Sequence, residues 1–182
     1  MSRKYKFLDQ SKIYFISFAV INWIDLFIRN QYKNIVLDSL SFCQQNKGLE
    51  LFAWCVMTSH LHLIMGTRKQ NMEDILRDSK SYTSRQLRLA ILENPQESRR
   101  DWMLRMMYDA GISNSNNRGF QLWQQHNHPI ELSTNEMMDV RLHYTHYNPV
   151  EAGFVSRPED YLYSSARDYA GEPGLLKIVL IE

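Results

Sequence analysis

Three short stretches in the N-terminal third of the chain have the pattern of β-strands. Lys12–Val20 is rich in β-branched and aromatic residues and almost continuously apolar, which predicts a central strand covered on both faces. Leu49–Met57 and Leu61–Gly66 repeat their large apolar residues at intervals of two. We expect these two stretches to form a strand pair that turns at Thr58-Ser59.

Two further stretches have helical spacing. Asn30–Gln45 repeats its apolar residues every three or four positions and ends by Lys47-Gly48, where a glycine can terminate a helix. Asn71–Leu92 is the longest such pattern, and Asn71 is placed to cap it. The outer face of this second helix is predicted to carry basic and hydroxyl side chains, namely Arg77, Lys80, Ser81, Ser84, Arg85 and Arg88.

Nearer the C-terminus, Met137–Tyr147 is predicted to be a helix that closes at Asn148-Pro149. A residue before proline is disfavoured in the α conformation, which makes this dipeptide a helix boundary. Tyr144 and Asn148 are four positions apart, so their side chains share a face if the last turn persists to Asn148. We expect one domain over residues 1–170, with a variable insertion at about 94–119, and a tail over 171–182.

Composition indicates a folded globular protein but does not by itself indicate a nucleic-acid partner. Of the 182 residues, 44% are hydrophobic and 12% aromatic, which argues against a disordered chain. The formal net charge is only +1, so any DNA-binding surface must be a local patch of basic residues. Cys43 and Cys55 form no CxxC pattern, and the N-terminus lacks the apolar core of a signal peptide. We expect a soluble cytoplasmic protein with no membrane partner.

The strand pair carries the first candidate for chemistry, a pair of histidines separated by Leu61. Alternation along a strand puts His60 and His62 on one face, within reach of one divalent ion or one phosphate. Two histidines on a solvated strand face need no metal, and that alternative stays open on these residues alone. A second pair, His126 and His128, is followed at once by Pro129, which interrupts a strand ladder.

The combination of motifs along the chain resembles a known family. His60-Leu61-His62 in an apolar strand pair is followed by Tyr144 and Asn148 in YTHYNPVEAGFV, and then by Pro158–Tyr161 and Tyr163-Ser164-Ser165. These motifs, in this order, resemble the single-tyrosine HUH transposases, specifically the REP-associated tyrosine transposases of the insertion-sequence 200-like group. The resemblance covers about residues 12–169. Phe120–Leu132 resembles the family strand that leads into the helix bearing the nucleophile.

The resemblance implies a nuclease and strand transferase that acts on single-stranded or hairpin DNA. It implies that His60, His62 and Asn148 hold Mg or Mn, and that Tyr144 attacks DNA to form a 5′-phosphotyrosine link. The residues alone do not favour Tyr144 over Tyr147, and the family spacing selects Tyr144. Related enzymes include dimers that share active sites, so a homodimer is possible here.

The β-α-β-β-α order and the resemblance together predict an α+β ferredoxin-like sandwich, with an antiparallel β-sheet and helices packed on one face. Candidate DNA contacts are the basic residues Arg68, Lys69, Lys80 and Arg85, although plain solvated cations are an equal alternative. Two other functions compete with the transposase. One is a metal-dependent phosphoesterase of another class, and the other is a catalytically idle DNA-binding relative.

Overall fold

A four-stranded antiparallel sheet forms the centre of the molecule. The computed structural model describes residues 7–114, 119–125 and 127–181. The strands are β1 (Tyr14–Ala19), β2 (Leu49–Val56), β3 (His60–Thr67) and β4 (Ile130–Glu131), in the spatial order β2-β3-β1-β4. Each neighbouring pair is antiparallel, as the ferredoxin-like prediction requires.

The predicted central strand and strand pair are therefore confirmed, whereas the strand expected over 120–132 is shorter. Among the described residues of that stretch only Ile130–Glu131 forms a ladder with β1, and Trp123 adds one isolated bridge to Val20. His128 has a φ of 43°, and Pro129 follows it without an amide hydrogen to donate. These two residues separate the bridge from the strand.

Five α-helices accompany the sheet in the described residues. They are α1 (Asn30–Lys47), α2 (Met72–Glu93), α3 (Arg100–Ile112), α4 (Asn135–Glu151) and the short α5 (Ala166–Tyr169). Gly48 ends α1 in the left-handed conformation, with φ 78°, as its position predicts. The Asn71 side chain does not cap α2; instead the amide of Met72 donates to Oε1 of Gln10 at 2.8 Å. No helix in the part of the chain that the structure describes has the length and apolarity needed to cross a membrane.

The two faces of the sheet are covered by different helices. We call the face that carries Leu61, Leu63 and Met65 the core face, and it packs with α1 and α2 in the main hydrophobic core. The opposite face carries His60, His62 and Ile64, and we call it the site face. Its smaller apolar cluster includes Ile64 and Met138 of α4. The one-face arrangement of helices thus holds for α1 and α2, while α4 covers the site face.

Helix α4 is longer than the sequence predicts. It begins after Thr134, whose hydroxyl accepts a hydrogen bond from the amide of Met137 at 3.2 Å, and it continues through Pro149 to Glu151. Pro149 lies in the last turn, where it removes one amide donor and the helix ends two residues later. The prediction that the helix ends before Asn148 was wrong. The extra turn keeps Asn148 on the same helical face as Tyr144.

The C-terminal segment joins α4 to the outer edge of the sheet. The amide of Ser165 donates to the carbonyl of Trp54 in β2 at 2.9 Å, and the amide of Val179 donates to Leu51 at 2.8 Å. The hydroxyl of Ser165 lies 2.9 Å from Nε2 of His146 in α4. Both His146 and Ser165 are buried. This segment therefore covers a strand edge that would otherwise be open, and it fixes α4 against β2.

Candidate active site

The two histidines lie side by side at the start of β3. Alternation along the strand turns Leu61 and Leu63 into the core and His60 and His62 onto the site face. The centroids of the two imidazole rings are 4.8 Å apart. His62 is almost completely buried, whereas His60 is partly exposed. The sequence prediction that both rings share one face is therefore correct.

Helix α4 brings Tyr144 and Asn148 to these histidines. The ring of Tyr144 meets the His62 ring edge to face, with the centroids 5.0 Å apart. Nδ2 of Asn148 lies 3.4 Å from Nε2 of His62, and the same side chain also forms a hydrogen bond with His60. Four residues from two segments far apart in sequence thus converge within one chain.

Tyr147 takes no part in this cluster. The ring of Tyr147 stacks on His143, with the centroids 4.0 Å apart, on another side of α4. His128 is exposed, and His126 lies outside the described residues. Of the two tyrosines, Tyr144 is the one whose ring lies against His62.

Burial keeps both histidines of the site in the neutral form. Desolvation lowers the pKa of His62 to about 3, and the nearby charges of His60 and Arg141 act in the same direction. Burial also lowers the pKa of His60, although its hydrogen bond with Asn148 and the charge of Asp25 act in the opposite direction. Neutral imidazole is the form that binds metal ions, so both rings are ready ligands at neutral pH.

The donor set fits a divalent metal of the transition type. Nδ1 of His62 is buried and has no hydrogen-bond partner among the described residues. The other ring nitrogen of His62, Nε2, faces the side-chain amide of Asn148, and the His60 ring lies 4.8 Å from the His62 ring. Nowhere in the described ranges do three His, Cys, Asp or Glu side chains gather into a metal cluster, so this set is two histidines and an amide. Such ligands suit Mn better than Mg, which prefers carboxylate and water oxygens.

Sequence reasoning missed one cationic residue of the site, Arg141. Its guanidinium lies over the ring of Phe15, 4.8 Å from the centroid, and 6.0 Å from the centroid of the Tyr144 ring. Phe15 in turn stacks on His62, with the centroids 5.6 Å apart. Arg141 stands three positions before Tyr144, the spacing at which residues of a helix share a face, and this signal could have identified it.

A turn directly after β1 adds an exposed aromatic ring to the site. Asn22 and Trp23 both have positive φ, 51° and 54°. This conformation costs a residue other than glycine about 1 kcal/mol or more, and it occurs often at functional sites. The Trp23 ring meets the His60 ring edge to face at 5.4 Å and is 58% exposed. The sequence indicated a turn here but not the direction of the indole.

The four predicted DNA contacts lie in different places. Arg68 and Lys69 follow the far end of β3, about 20 Å from His62 at about 3.3 Å per residue, and Arg68 pairs with Glu50 at 2.5 Å. They are not part of the histidine site. Arg85 lies on the exposed face of α2, as expected.

Lys80 is less exposed than the outer face of α2 was predicted to be. Its Nζ donates to Oδ1 of Asn127 at 2.7 Å and to the carbonyl of Gln124 at 3.1 Å. Burial lowers the pKa of its ammonium to about 8. Lys80 therefore ties α2 to the segment before β4.

The comparison with protein families decides the identity. The model of the IS200-like transposases matches residues 16–116, which is more than half of the chain. The chain belongs to this family. The matched region of this transposase contains His60 and His62, whereas Tyr144 and Asn148 lie beyond it.

A solved structure shows the same fold. It is the structure of a REP-associated tyrosine transposase bound to a REP hairpin. The alignment covers 93% of this chain and 86% of that protein's chain, with a TM-score of 0.66 and 17% identity. A candidate transposase from Deinococcus radiodurans R1 aligns with 81% of the chain and 95% of its own, with a TM-score of 0.44 and 18% identity. No curated protein matches the sequence.

Proposed function

We propose that this transposase is a metal-dependent nuclease and strand transferase that cleaves single-stranded or hairpin DNA through Tyr144. One observation carries the proposal: the Tyr144 ring and the Asn148 amide both meet His62. This contact supports a tyrosine nucleophile acting beside a set of metal ligands of the same chain. His60, His62 and Asn148 would hold Mn or Mg, which when bound polarises the scissile phosphate and offsets its charge.

The residues of the chain account for the other requirements of the reaction. The oxygen of Tyr144 forms a bond to phosphorus, the bond from phosphorus to the 3′ oxygen breaks, and the departing oxygen takes up a proton. Tyr144 is 39% exposed, so its phenolic proton can leave to solvent. The phosphotyrosine ester conserves the energy of the broken bond, so a 3′-hydroxyl can reverse the step on another strand.

Arg141 supplies positive charge that the neutral histidines lack. Its guanidinium lies beside the rings of Phe15 and Tyr144, so a phosphate next to the Tyr144 hydroxyl would be within its reach. Guanidinium binds phosphate through paired hydrogen bonds, which fixes the orientation of the group as well as its charge. We assign Arg141 to holding the scissile phosphate in line with Tyr144.

The partner is DNA with a single-stranded or hairpin region, and one chain is sufficient for cleavage. The solved relative of the same fold is bound to a REP hairpin, which supports a similar partner here. All four predicted site residues meet within one chain, so we propose that Tyr144 acts in cis. A homodimer is then not needed to complete the site.

A covalent adduct is the product that tests this function. Hairpins drawn from DNA flanking the gene are incubated with the protein in Mn and separated on a denaturing gel. We expect a protein band shifted by attached DNA, which disappears in Tyr144→Phe and after chelation of the metal. Tyr147→Phe, three positions along the same helix, is the matched control and should retain the adduct.

Each of the other results points to a different function. An adduct that persists in Tyr144→Phe and disappears in Tyr147→Phe would assign the nucleophile to Tyr147. Metal-dependent cleavage without any adduct would favour a phosphoesterase. DNA binding without cleavage of any hairpin would favour an idle DNA-binding relative.

A further inference from the structure

An open pocket adjoins the histidine site on the side of Trp23. Its volume is about 520 Å³, within the range of about 300–1,000 Å³ typical of small-molecule sites. The indole of Trp23 forms one wall, and this ring also contacts His60. The pocket is therefore one side chain away from the proposed metal ligands.

Most of the other residues that line the pocket carry a side-chain amide. The lining includes Asn22, Asn114, Gln121, Gln124 and Gln125. Several of these amides are held by hydrogen bonds of their own: Asn114 donates to Oε1 of Gln121 at 3.0 Å, and Gln124 donates to the carbonyl of Val20 at 3.2 Å. The latter bond uses only one of the four hydrogen-bonding positions of the Gln124 amide. An aromatic ring beside oriented amides is a surface suited to a planar, hydrogen-bonding ligand.

The pocket is continuous with a larger groove along α2. This groove has a volume of about 760 Å³ and shares Gln121, Gln124 and Gln125 with the pocket. Its other wall carries Arg85 and Arg88, together with the hydroxyls of Ser81 and Ser84. A strand leaving the histidine site past Trp23 would thus meet amides first and then a basic surface able to bind phosphates.

We propose that Trp23 and the adjoining amide-lined pocket form a binding site for an unstacked nucleobase of single-stranded DNA next to the cleaved phosphate. Trp23 stacks on the base, and the amides face its hydrogen-bonding edge. The indole is 58% exposed at the tip of a two-residue turn, in which Asn22 and Trp23 have left-handed φ values and the amide of Ile24 donates to the carbonyl of Ile21 at 3.2 Å. The residues on either side of the turn, Ile21 and Ile24, are buried in the core and anchor it. The inference rests on the proposed function for its substrate class.

Equilibrium binding of single-stranded DNA tests the base site without requiring chemistry. The probe is a fluorescein-labelled strand of about 15 thymidines, long enough to cover a single-stranded binding surface. The comparison strand has the same length and carries abasic sites at every internal position. Anisotropy is measured in EDTA with the full chain, so neither metal nor cleavage contributes. Trp102→Ala is the matched control, because Trp102 is 52% exposed on α3 and does not line the pocket.

We expect Trp23→Ala to weaken binding of the thymidine strand about 10-fold, as expected from stacking worth about 1–3 kcal/mol per base. Trp23→Phe keeps an aromatic ring and should stay within about 3-fold of wild type, while Trp102→Ala stays within about 2-fold. The abasic strand should bind wild type and Trp23→Ala equally. The salt dependence should be unchanged in Trp23→Ala and reduced in Arg85→Ala, since only the arginine contacts phosphate.

Three results would overturn the base site. The first is an equal loss of affinity in Trp23→Ala and Trp102→Ala. The second is wild-type protein that does not distinguish the thymidine strand from the abasic one, and the third is undiminished affinity in Trp23→Ala. Failure of the proposed function gives a different result. If no adduct forms but Trp23→Ala weakens binding of the thymidine strand, the nuclease hypothesis fails and the base site is supported. If the wild type forms the adduct and Trp23→Ala binds the thymidine strand as tightly as wild type does, the nuclease is supported and the base site is excluded.

Discussion

Alternate residues of strand β3 face opposite sides of the sheet and have different roles on the two sides. On the core face, Leu61, Leu63 and Met65 are completely buried against α1 and α2. On the site face, the alternating residues are His60 and His62, which meet α4 through a tyrosine and an amide. The core face is stabilised by close packing of apolar side chains. On the site face, a buried imidazole nitrogen of His62 has no hydrogen-bond partner among the described residues.

This difference teaches how the fold separates stability from chemistry. An apolar core gains free energy from each buried methylene group, about 0.8 kcal/mol, and stays packed around the strand. A desolvated polar group costs free energy unless it is paired, so it persists only where the surrounding packing supports it. Substitutions on the two faces should therefore separate into losses of stability and losses of activity.

The largest effect is expected from His62→Ala, on the site face. Removing one of the two proposed imidazole ligands should lower metal-dependent cleavage by at least about 1,000-fold, or about 4 kcal/mol of barrier, because the phosphate would lose its polarising cation. Single-turnover cleavage in Mn measures activity, and thermal unfolding measures stability. His143→Ala, an exposed histidine on α4, should retain cleavage. Full activity in His62→Ala would remove the metal-site hypothesis.

The matching change on the core face is Leu63→Ala. We expect the free energy of unfolding to fall by about 3 kcal/mol, since truncation of a buried leucine loses apolar contact and leaves a cavity. Cleavage per folded molecule should change little. Denaturant unfolding measures the loss of stability. The control is Leu8→Ala, because Leu8 is 83% exposed. A large loss of activity in folded Leu63→Ala would break the separation of the two faces.

The smallest effect is expected where the two roles meet, at Ser165. Its hydroxyl bonds Nε2 of His146, two positions from both Tyr144 and Asn148, and fixes α4 against β2. Ser165→Ala should lower the free energy of unfolding by about 1–2 kcal/mol by leaving a buried imidazole nitrogen unpaired. The cleavage rate should fall while DNA affinity is unchanged, because the helix that carries Tyr144 is held less firmly. Ser156→Ala, an exposed serine, is the control, and equal effects in the two variants would exclude a positioning role.

Much of the site could be predicted because its parts are local. Period two placed His60 and His62 on one face of β3, and four-residue spacing placed Tyr144 with Asn148 on one face of α4. Local rules failed where tertiary packing overrides them. The helix boundary expected before Pro149 does not occur, and Lys80 turns from the predicted outer face towards Asn127.

The sequence by itself determined the order of strands and helices along the chain, the family, and which four residues to look for at the site. Only the tertiary structure decided that α4 crosses to the face that carries the histidines, that Arg141 lies beside Tyr144, and that Arg68 and Lys69 lie at the far end of β3. It also decided that Trp23 turns outward next to His60. The physical reason is that periodicity defines which residues share a face, whereas the meeting of two faces depends on contacts between residues distant in sequence.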